Sequence, residues 1–475
     1  MLRPLRFHLQ LLVVTLMLAL IQQTQAANSQ AMAKAQQFTL PNGLVGVVIP
    51  DNRAPVITHM VWYRIGAADE PAGKSGIAHF LEHLMFKATK KIPSGEFSKI
   101  VSRLGGNDNA FTSHDATAYF QRVAKSRLAQ VMTMEADRMV NLQLAEKEVL
   151  TERDVILEER RSRVENNPSS ILDEQMSAAL YRNHRYGIPV IGWEHEIAAL
   201  SRTDALEFYK KYYAPNNAIL VVSGDVTLDE VKSLAAETFG KLKPSAAIKT
   251  RERVKEPPFR TPLRVELKDQ RAGKPMWSRH YQAPSYVTAA KGEAEALDLL
   301  MKVVGGGSTS RLYKKLVMED QVASSAGGYY GGAGLDSTKI GVYAVPNDGV
   351  SLEKVEAAVD AVLAEVIANG ISGAELDRAK ANYVAEYVYV SDNQSTLARR
   401  YGWGLVVGRT IADIDAWPDL ISKVTPEQLR TAAATFLDIK RSVTGTLLPV
   451  AANDAGASPA AASPAGAKAP AGSRS

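Results

Sequence analysis

The sequence predicts an α+β protein of two homologous domains, each an α/β-sandwich-like unit in which an antiparallel sheet packs against helices. The 475 residues are enough for two to four domains of ordinary size. Their 46% hydrophobic and 23% charged content is typical of a globular chain and excludes a disordered one. Residues 37–226 and 263–448 follow a similar order of strand-like and helical segments, which indicates an internal duplication of one α+β unit.

Both ends of the chain are predicted to lie outside these domains. Residues 1–26 combine Arg3 and Arg6 with an apolar run and a small-residue cleavage site, which is typical of a secretory signal peptide. An uncleaved N-terminal anchor is the alternative. Residues 450–475 are rich in Ala, Pro, Gly and Ser, which predicts a disordered tail. A signal peptide on a chain without cysteine favours a bacterial periplasm, with no membrane span after cleavage.

The first domain, residues 27–245, is predicted to open and close with strands. Short runs of alternating or β-branched residues give way to apolar residues at helical spacing, before a last apolar run. The predicted strands cover residues 37–40, 44–49, 56–65 and 218–226. The predicted helices cover residues 77–87, 94–104, 126–141, 145–164 and 204–213.

The second domain, residues 259–449, repeats this plan. Its predicted strands cover residues 263–267, 338–345 and 441–448. Its predicted helices cover residues 293–304, 352–369 and 373–390, and another begins within residues 424–429. The polar, Pro-containing residues 246–258 form a linker between the two domains.

Composition excludes several kinds of site and partner. The chain has no cysteine, which excludes disulfides, Cys-ligated metals and thiol nucleophiles. Any metal must therefore be bound by His, Asp or Glu. The net charge of +5 is not concentrated in a basic patch, so nucleic-acid binding is not indicated.

The strongest local signal is the pattern His-x-x-Glu-His at His79, Glu82 and His83. Positions i and i+4 share one face of a helix, so the two imidazoles can converge on one ion, with Glu82 beside them. Two neutral imidazoles are good zinc ligands, and a hydrolytic site also needs a third ligand and an open position for water. The alternative is an amphipathic helix whose histidines are ordinary polar residues.

An acidic segment within residues 152–161 offers candidates for the third ligand. Glu152 and Glu159 are seven residues apart, which places both on one face of the predicted helix. One of them could bind zinc while the other hydrogen-bonds a ligating imidazole. A solvated, salt-bridged helix surface is the alternative, and spacing alone does not choose between the two.

Together with further segments, these motifs resemble the inverzincin zinc metallopeptidases of the pitrilysin, insulinase and mitochondrial processing peptidase family. The resemblance covers the predicted domains and rests on residues 76–86, 105–119, 152–160, 184–192 and 212–226. It implies a two-domain, exported bacterial member that forms half of a clamshell. The implied activity is that of a zinc-dependent endopeptidase acting on peptides or small unfolded proteins.

The resemblance also implies roles for individual residues. The implied ligands of one Zn²⁺ per chain are His79, His83 and Glu159. The spacing in the family selects Glu159 rather than its neighbour Glu158, and it gives Glu152 the supporting position. Glu82 would act as the general base, taking a proton from water and passing it to the leaving amine.

Asn109, Ala110 and Phe111 match an edge strand that binds substrate in relatives. An extended peptide that adds to a sheet edge gains main-chain hydrogen bonds largely independent of its sequence. Without the resemblance, a tight turn followed by an ordinary sheet strand would explain residues 105–112 equally simply.

The second domain carries no equivalent metal site, since residues 296–300 read Ala-Leu-Asp-Leu-Leu. Larger relatives join four such units into a chamber, so the resemblance implies a dimer, with the linker at residues 246–258 as a hinge. The partner would be either the same chain or an inactive homologue that supplies the Arg and Tyr with which relatives hold substrate. Two other functions stay open: a non-catalytic or partner-dependent subunit of a peptidase complex, and a hydrolase of a non-peptide substrate.

Overall fold

The computed structural model describes residues 34–450, so the predicted signal peptide and nearly all of the predicted tail lie outside the described residues. The strands of the first unit are β1 (Gln36–Thr39), β2 (Val45–Pro50), β3 (Val56–Tyr63), β4 (Ala88–Thr89), β5 (Asn107–Thr112), β6 (Thr117–Ala124), β7 (Leu142–Gln143) and β8 (Ala218–Gly224). Those of the second unit are β9 (Leu263–Asp269), β10 (Met276–Ala283), β11 (Ala323–Tyr330), β12 (Thr338–Pro346) and β13 (Ser442–Pro449).

Helices separate these strands. Those of the first unit are α1 (Ile77–Leu84), α2 (Glu96–Arg103), α3 (Leu128–Val140), α4 (Glu146–Arg160), α5 (Pro168–Leu180), α6 (Glu194–Ala199), α7 (Arg202–Tyr212) and α8 (Leu228–Glu237). Those of the second unit are α9 (Glu293–Gly305), α10 (Leu352–Asn369), α11 (Gly373–Ser391), α12 (Gln394–Val406), α13 (Ile411–Asp415), α14 (Trp417–Lys423) and α15 (Pro426–Phe436). One π-helical turn, Arg161–Glu165, extends α4.

The two large sheets share one topology. The first has the order β1-β2-β8-β3-β6-β5, and the second, read in the same direction, has the order β9-β13-β10-β12-β11. Both contain one parallel pair, β2 with β8 and β9 with β13. The α+β class and the duplication are confirmed, and each mainly antiparallel sheet contains this one parallel pair. The closing strand follows a helical crossover, which returns the chain in the direction of the first strand.

Each sheet packs its own helices on one face and a helix of the other unit on the opposite face. Helices α3 and α8 contact the first sheet, and α9 and α10 contact the second. On the opposite faces, α12 contacts β8 and β3 of the first sheet, while α5 contacts β13 and β9 of the second. The two units therefore exchange helices, and we call α5 and α12 the exchanged helices.

Both exchanged helices bury apolar side chains against the foreign sheet. Leu397 of α12 packs with Met60 and Trp62 of β3. Met176 of α5 packs with Val443 of β13. These contacts join the two units through two apolar clusters, one on the outer face of each sheet.

The linker between the units is anchored by ion pairs. Arg253 binds Asp69 at 2.8 Å and also pairs with Asp115, and Arg251 donates to the backbone oxygen of Asp115 at 2.7 Å. Arg253 further pairs with Asp336 of the second unit at 3.3 Å. The linker is therefore anchored to both units, and the hinge that the resemblance implies at residues 246–258 stays a prediction.

Among the described helices, no single one combines the length and apolarity that a membrane span needs; α10 and α11 reach that combination only jointly, across a bend of 105°.

Glycine at two positions permits the close approach of the exchanged helices. A Cβ at Gly402 of α12 would lie 2.1 Å from Nε1 of Trp62, and a Cβ at Gly445 of β13 would lie 2.1 Å from Sδ of Met176. We expect Gly402→Ala to lower the free energy of unfolding by about 1–3 kcal/mol, because overpacking outweighs the higher helix propensity of alanine.

Urea denaturation followed by circular dichroism measures this loss. Gly373→Ala is the matched control, since Gly373 is also helical and has open space where its Cβ would stand. If the Gly402→Ala and Gly373→Ala proteins unfold at the same urea concentration, the tight contact with Trp62 does not limit stability.

Candidate active site

The helix α1 carries the histidine pair, and backbone contacts and hydrogen bonds fix its N-terminus. Gly76, which precedes the helix, has φ 86°, and a Cβ there would lie 2.5 Å from the backbone oxygen of Ile191. The buried carboxylate of Glu70 accepts hydrogen bonds from the backbone N–H groups of Gly76 at 3.0 Å and Ala78 at 2.9 Å. Donors that would otherwise be unpaired at the helix start are thereby satisfied.

The structure brings His79, His83 and Glu159 together. Oε2 of Glu159 lies 3.8 Å from Nε2 of His79 and 3.5 Å from Nε2 of His83. One potential ligand atom from each residue lies within 4.8 Å of the others, and within residues 34–450 this is the single such group of His, Asp or Glu. Glu158, the rival position, points into solvent and pairs with Arg161.

Neighbouring side chains orient the two ligand candidates that lie closest together. Glu152 accepts a hydrogen bond from Nδ1 of His83 at 2.9 Å, and Lys87 holds the other oxygen of Glu152 at 2.5 Å. With Nδ1 engaged as a donor, Nε2 of His83 presents a lone pair to Glu159. Arg163, in the π-helical turn, binds Oε1 of Glu159 at 2.9 Å and leaves Oε2 directed at the imidazoles.

These distances fit a tetrahedral zinc ion. Zn–N and Zn–O bonds of about 2.0–2.1 Å place two ligand atoms of a tetrahedron roughly 3.3–3.4 Å apart. The 3.5 and 3.8 Å separations around Oε2 of Glu159 are close to that value and too long for strong hydrogen bonds. The imidazole–carboxylate hydrogen bond at Glu152 matches the support that ligating histidines usually have.

Burial and charge set different pKa values for the two imidazoles. Burial lowers the pKa of His79 to about 3, with a further contribution from His83, so His79 is neutral at pH 7. Burial also disfavours the charged form of His83, but the hydrogen bond with Glu152 and the charge of Glu159 outweigh it and raise the pKa of His83. The hydrogen bond with His83 lowers the pKa of Glu152 to about 2.

Glu82 lies beside this group without being part of it. Its side chain is buried, and Oε2 accepts a hydrogen bond of 2.6 Å from Oγ1 of Thr112. Burial raises the pKa of Glu82, while the Thr112 hydrogen bond acts in the opposite direction. A raised carboxyl pKa suits a group that must both take up and release a proton near neutral pH.

The strand β5 ends the first sheet and carries Asn109, Ala110 and Phe111. Oδ1 of Asn109 accepts a hydrogen bond from the N–H of Ala110 at 2.8 Å. Successive residues face opposite ways: Thr112 reaches Glu82, whereas Phe111 packs edge-on against Trp62 with ring centroids 5.2 Å apart. The free edge of β5 therefore runs beside the candidate metal ligands.

Sequence reasoning missed three residues that position this site: Thr112, Arg163 and Lys87. Arg163 follows Glu159 by four residues, so helical spacing gave a signal for it. Lys87 lies beyond the end of α1 and contacts Glu152, which its position in the sequence does not indicate. For Thr112 no local signal exists, because its contact with Glu82 joins a strand to a helix.

Comparison with known families decides the relationship of the chain. Residues 46–193 match the family described as insulinase (peptidase family M16), and residues 199–383 match the one described as peptidase M16 inactive domain. The chain is 34% identical over 379 residues to the zinc protease PqqE of Helicobacter pylori, covering 77% of this chain and 82% of that one. The chain belongs to the M16 peptidase family.

Solved structures extend this likeness to the fold. A crystal structure of a protease from Helicobacter pylori superimposes with a TM-score of 0.83 at 32% identity, over 88% of this M16 chain and all of that one. The periplasmic protease PqqL of Escherichia coli superimposes with a TM-score of 0.74 at 19% identity, over 88% of this chain and 48% of that one. This M16 chain therefore has the fold of about one half of PqqL.

The raised pKa of His83 predicts a pH dependence of zinc binding. In the metal-free protein His83 should titrate above the ordinary value of about 6.5. Zinc must displace that proton, so zinc affinity falls as the pH is lowered through the raised pKa. Glu152→Gln removes the hydrogen-bonded carboxylate, so it should lower the pKa of His83 and weaken zinc binding roughly 10–100-fold at neutral pH.

NMR titration of the metal-free protein gives the pKa of His83, and competition with a chromophoric chelator gives zinc affinity. Glu158→Gln is the matched control, because it removes one exposed carboxylate from the same helix. Equal His83 pKa values in wild type and Glu152→Gln would contradict the orienting role of Glu152.

Proposed function

We propose that this M16 chain is a zinc-dependent endopeptidase that hydrolyses peptides or small unfolded proteins. In this proposal His79, His83 and Glu159 hold one Zn²⁺, and Glu82 is the general base. The observation that carries the proposal is the convergence of three ligand atoms on the helix that also carries Glu82, whose carboxylate is hydrogen-bonded to the edge strand β5. The name of the zinc protease PqqE supports the choice of metal.

In this proposal the metal, the general base and the positioning residues have separate roles in hydrolysis. Bound zinc supplies a Lewis acid that polarises a carbonyl group and lowers the pKa of water. Glu82 accepts a proton from water and returns it to the leaving amine, and its buried carboxylate with a raised pKa suits both steps. Thr112 holds the carboxylate of Glu82 in place, and Glu152 holds the imidazole of His83.

The edge strand β5 supplies the peptide-binding surface in this proposal. A substrate segment would pair with β5 as an additional strand along Asn109, Ala110 and Phe111, with main-chain hydrogen bonds at alternate residues. The N–H of Ala110 donates a hydrogen bond to the side chain of Asn109. A substrate carbonyl would take over this N–H and release the carboxamide of Asn109 to bind the peptide. This edge favours a peptide over a non-peptide substrate.

We further propose that two chains form the working chamber, either with an inactive homologue or as a homodimer. The chain matches about half of the length of PqqL, a periplasmic protease, which supports both pairing and a periplasmic location after signal cleavage. A non-catalytic subunit is the second candidate, and the match of residues 199–383 to an inactive domain favours it for the second unit. The complete residue set of the first unit argues against it for the whole chain.

Replacing the general base tests the activity. Zinc-loaded Glu82→Gln should retain one Zn²⁺ per chain and lose peptide hydrolysis by about 10²–10⁴-fold, because the amide cannot accept the proton. Metal analysis and the digestion of a peptide library measure the two quantities on the same sample. Glu158→Gln serves as the matched control, with unchanged activity expected. Hydrolysis by Glu82→Gln at the wild-type rate would refute the assignment of the base.

Removing the hydroxyl of Thr112 tests how Glu82 is positioned. The hydrogen bond from Thr112 lowers the pKa of Glu82, so Thr112→Val should raise that pKa. Since Glu82 acts as a base only when ionised, the acidic limb of the kcat/KM profile should move to higher pH. Thr112→Ser should restore the wild-type profile, and coincident profiles for all three proteins would show that the contact has no influence on the base.

A further inference from the structure

A cavity of about 450 Å³ lies between the exchanged helix α12, the first sheet and the loop that connects β11 to β12. Its wall is largely apolar and is formed by Trp62, Phe111, Trp403, Val407, Ile414 and Ala333. Nε1 of Trp403 donates to the backbone oxygen of Ala333 at 2.8 Å and so closes the wall between the two units. Cavities of this size and character are typical of sites for small ligands or side chains.

The cavity begins where the proposed peptide-binding edge passes it. Phe111 lies one residue before Thr112, the partner of Glu82, but its ring faces the opposite side of β5. There it stacks with Trp403 at a centroid distance of 6.4 Å. The cavity and Glu82 therefore lie on opposite faces of one short segment of strand.

One cation at the cavity, Arg399, has no polar partner in the described part of the chain. The exposed guanidinium of Arg399 stacks over Phe111 at 4.9 Å and over Phe120 at 4.6 Å. Within residues 34–450 it makes no hydrogen bond and no ion pair, whereas Arg400 donates to Ser391 and Arg409 to the backbone of Asp413. A guanidinium held in place by two rings, with all its donors free, is suited to bind a carboxylate.

We propose that this cavity is a substrate-specificity pocket, in which a large apolar side chain of the bound peptide is buried and Arg399 binds a carboxylate of the same peptide. The proposal rests on the proposed function, because it requires a peptide along β5. The carboxylate could be an acidic side chain or the C-terminus, and both present the same planar group to the guanidinium.

The geometry of a strand places the peptide in both sites at once. An added strand would lie about 4.8 Å from β5, with successive side chains directed to opposite faces. Side chains on the Thr112 face point towards Glu82, and those on the Phe111 face point towards the cavity. A residue next to the cleavage site therefore offers its side chain to the cavity without moving the scissile bond away from Glu82.

The test measures peptide binding separately from hydrolysis. Zinc-loaded Glu82→Gln is titrated into fluorescein-labelled peptides of one base sequence, in which Phe or Ala stands at each position in turn. Parallel peptides exchange a single Glu for Gln, or a free C-terminus for an amide. Anisotropy gives affinities for this protein and for the same protein carrying Arg399→Gln, with Arg430→Gln on the distant helix α15 as the matched control.

We expect at least one position at which Phe binds roughly tenfold more tightly than Ala. We also expect Arg399→Gln to weaken binding of one carboxylate-bearing peptide about tenfold and to leave its amide counterpart unchanged. The Gln-substituted and the amidated peptides show which carboxylate is bound. In wild type the same preferences should appear in kcat/KM.

The outcomes of this test separate a wrong pocket assignment from a wrong peptidase assignment. Tight binding without a Phe preference at any position, or an equal effect of Arg399→Gln and Arg430→Gln, would overturn the pocket and leave the peptidase function intact. Selective binding without hydrolysis by zinc-loaded wild type would overturn the peptidase function and leave the pocket intact. Peptides that neither bind nor are cleaved would overturn both.

Discussion

The architecture depends on burying both apolar faces of each large sheet under helices. Strands such as β8 are buried on both sides, so a unit that placed helices on one face alone would expose the other. In the duplicated chain each unit covers the exposed face of the other: α12 covers the first sheet and α5 covers the second. Each unit is therefore incomplete without its counterpart, and the apolar interior is shared between them.

The same arrangement explains where the candidate site lies. The exchanged helix α12 lies over the central strands of the first sheet and does not pair with the outer edge of β5. The imidazoles of α1 and the carboxylates of α4 lie on the Thr112 side of that edge, and the ring of Phe111 lies on the opposite side. A strand edge with unpaired backbone groups is usually a hazard for aggregation, and here it coincides with the surface that a substrate would use.

Many elements of this molecule can be predicted from its sequence, and those that were missed were missed for physical reasons. Helices α10 and α11 and the strands around them follow their apolar periodicity closely, and the resemblance selected Glu159 from three nearby carboxylates. The strand β10 was missed because Arg279 interrupts its apolar pattern; in the fold this cation is buried and paired with Glu356 at 2.6 Å. The helix α12 was missed because Gly402 and Gly404 lower helix propensity, a cost that only its packing on the first sheet explains.

The exchange of helices also has a consequence for biosynthesis. A ribosome completes every strand of the first sheet long before it reaches the codons for α12, so the outer face of β3 and β8 stays uncovered while most of the second unit is translated. Nascent chains at that stage expose an apolar surface that would have to be shielded from aggregation. The two units therefore complete their packing together, late in folding, and not one after the other.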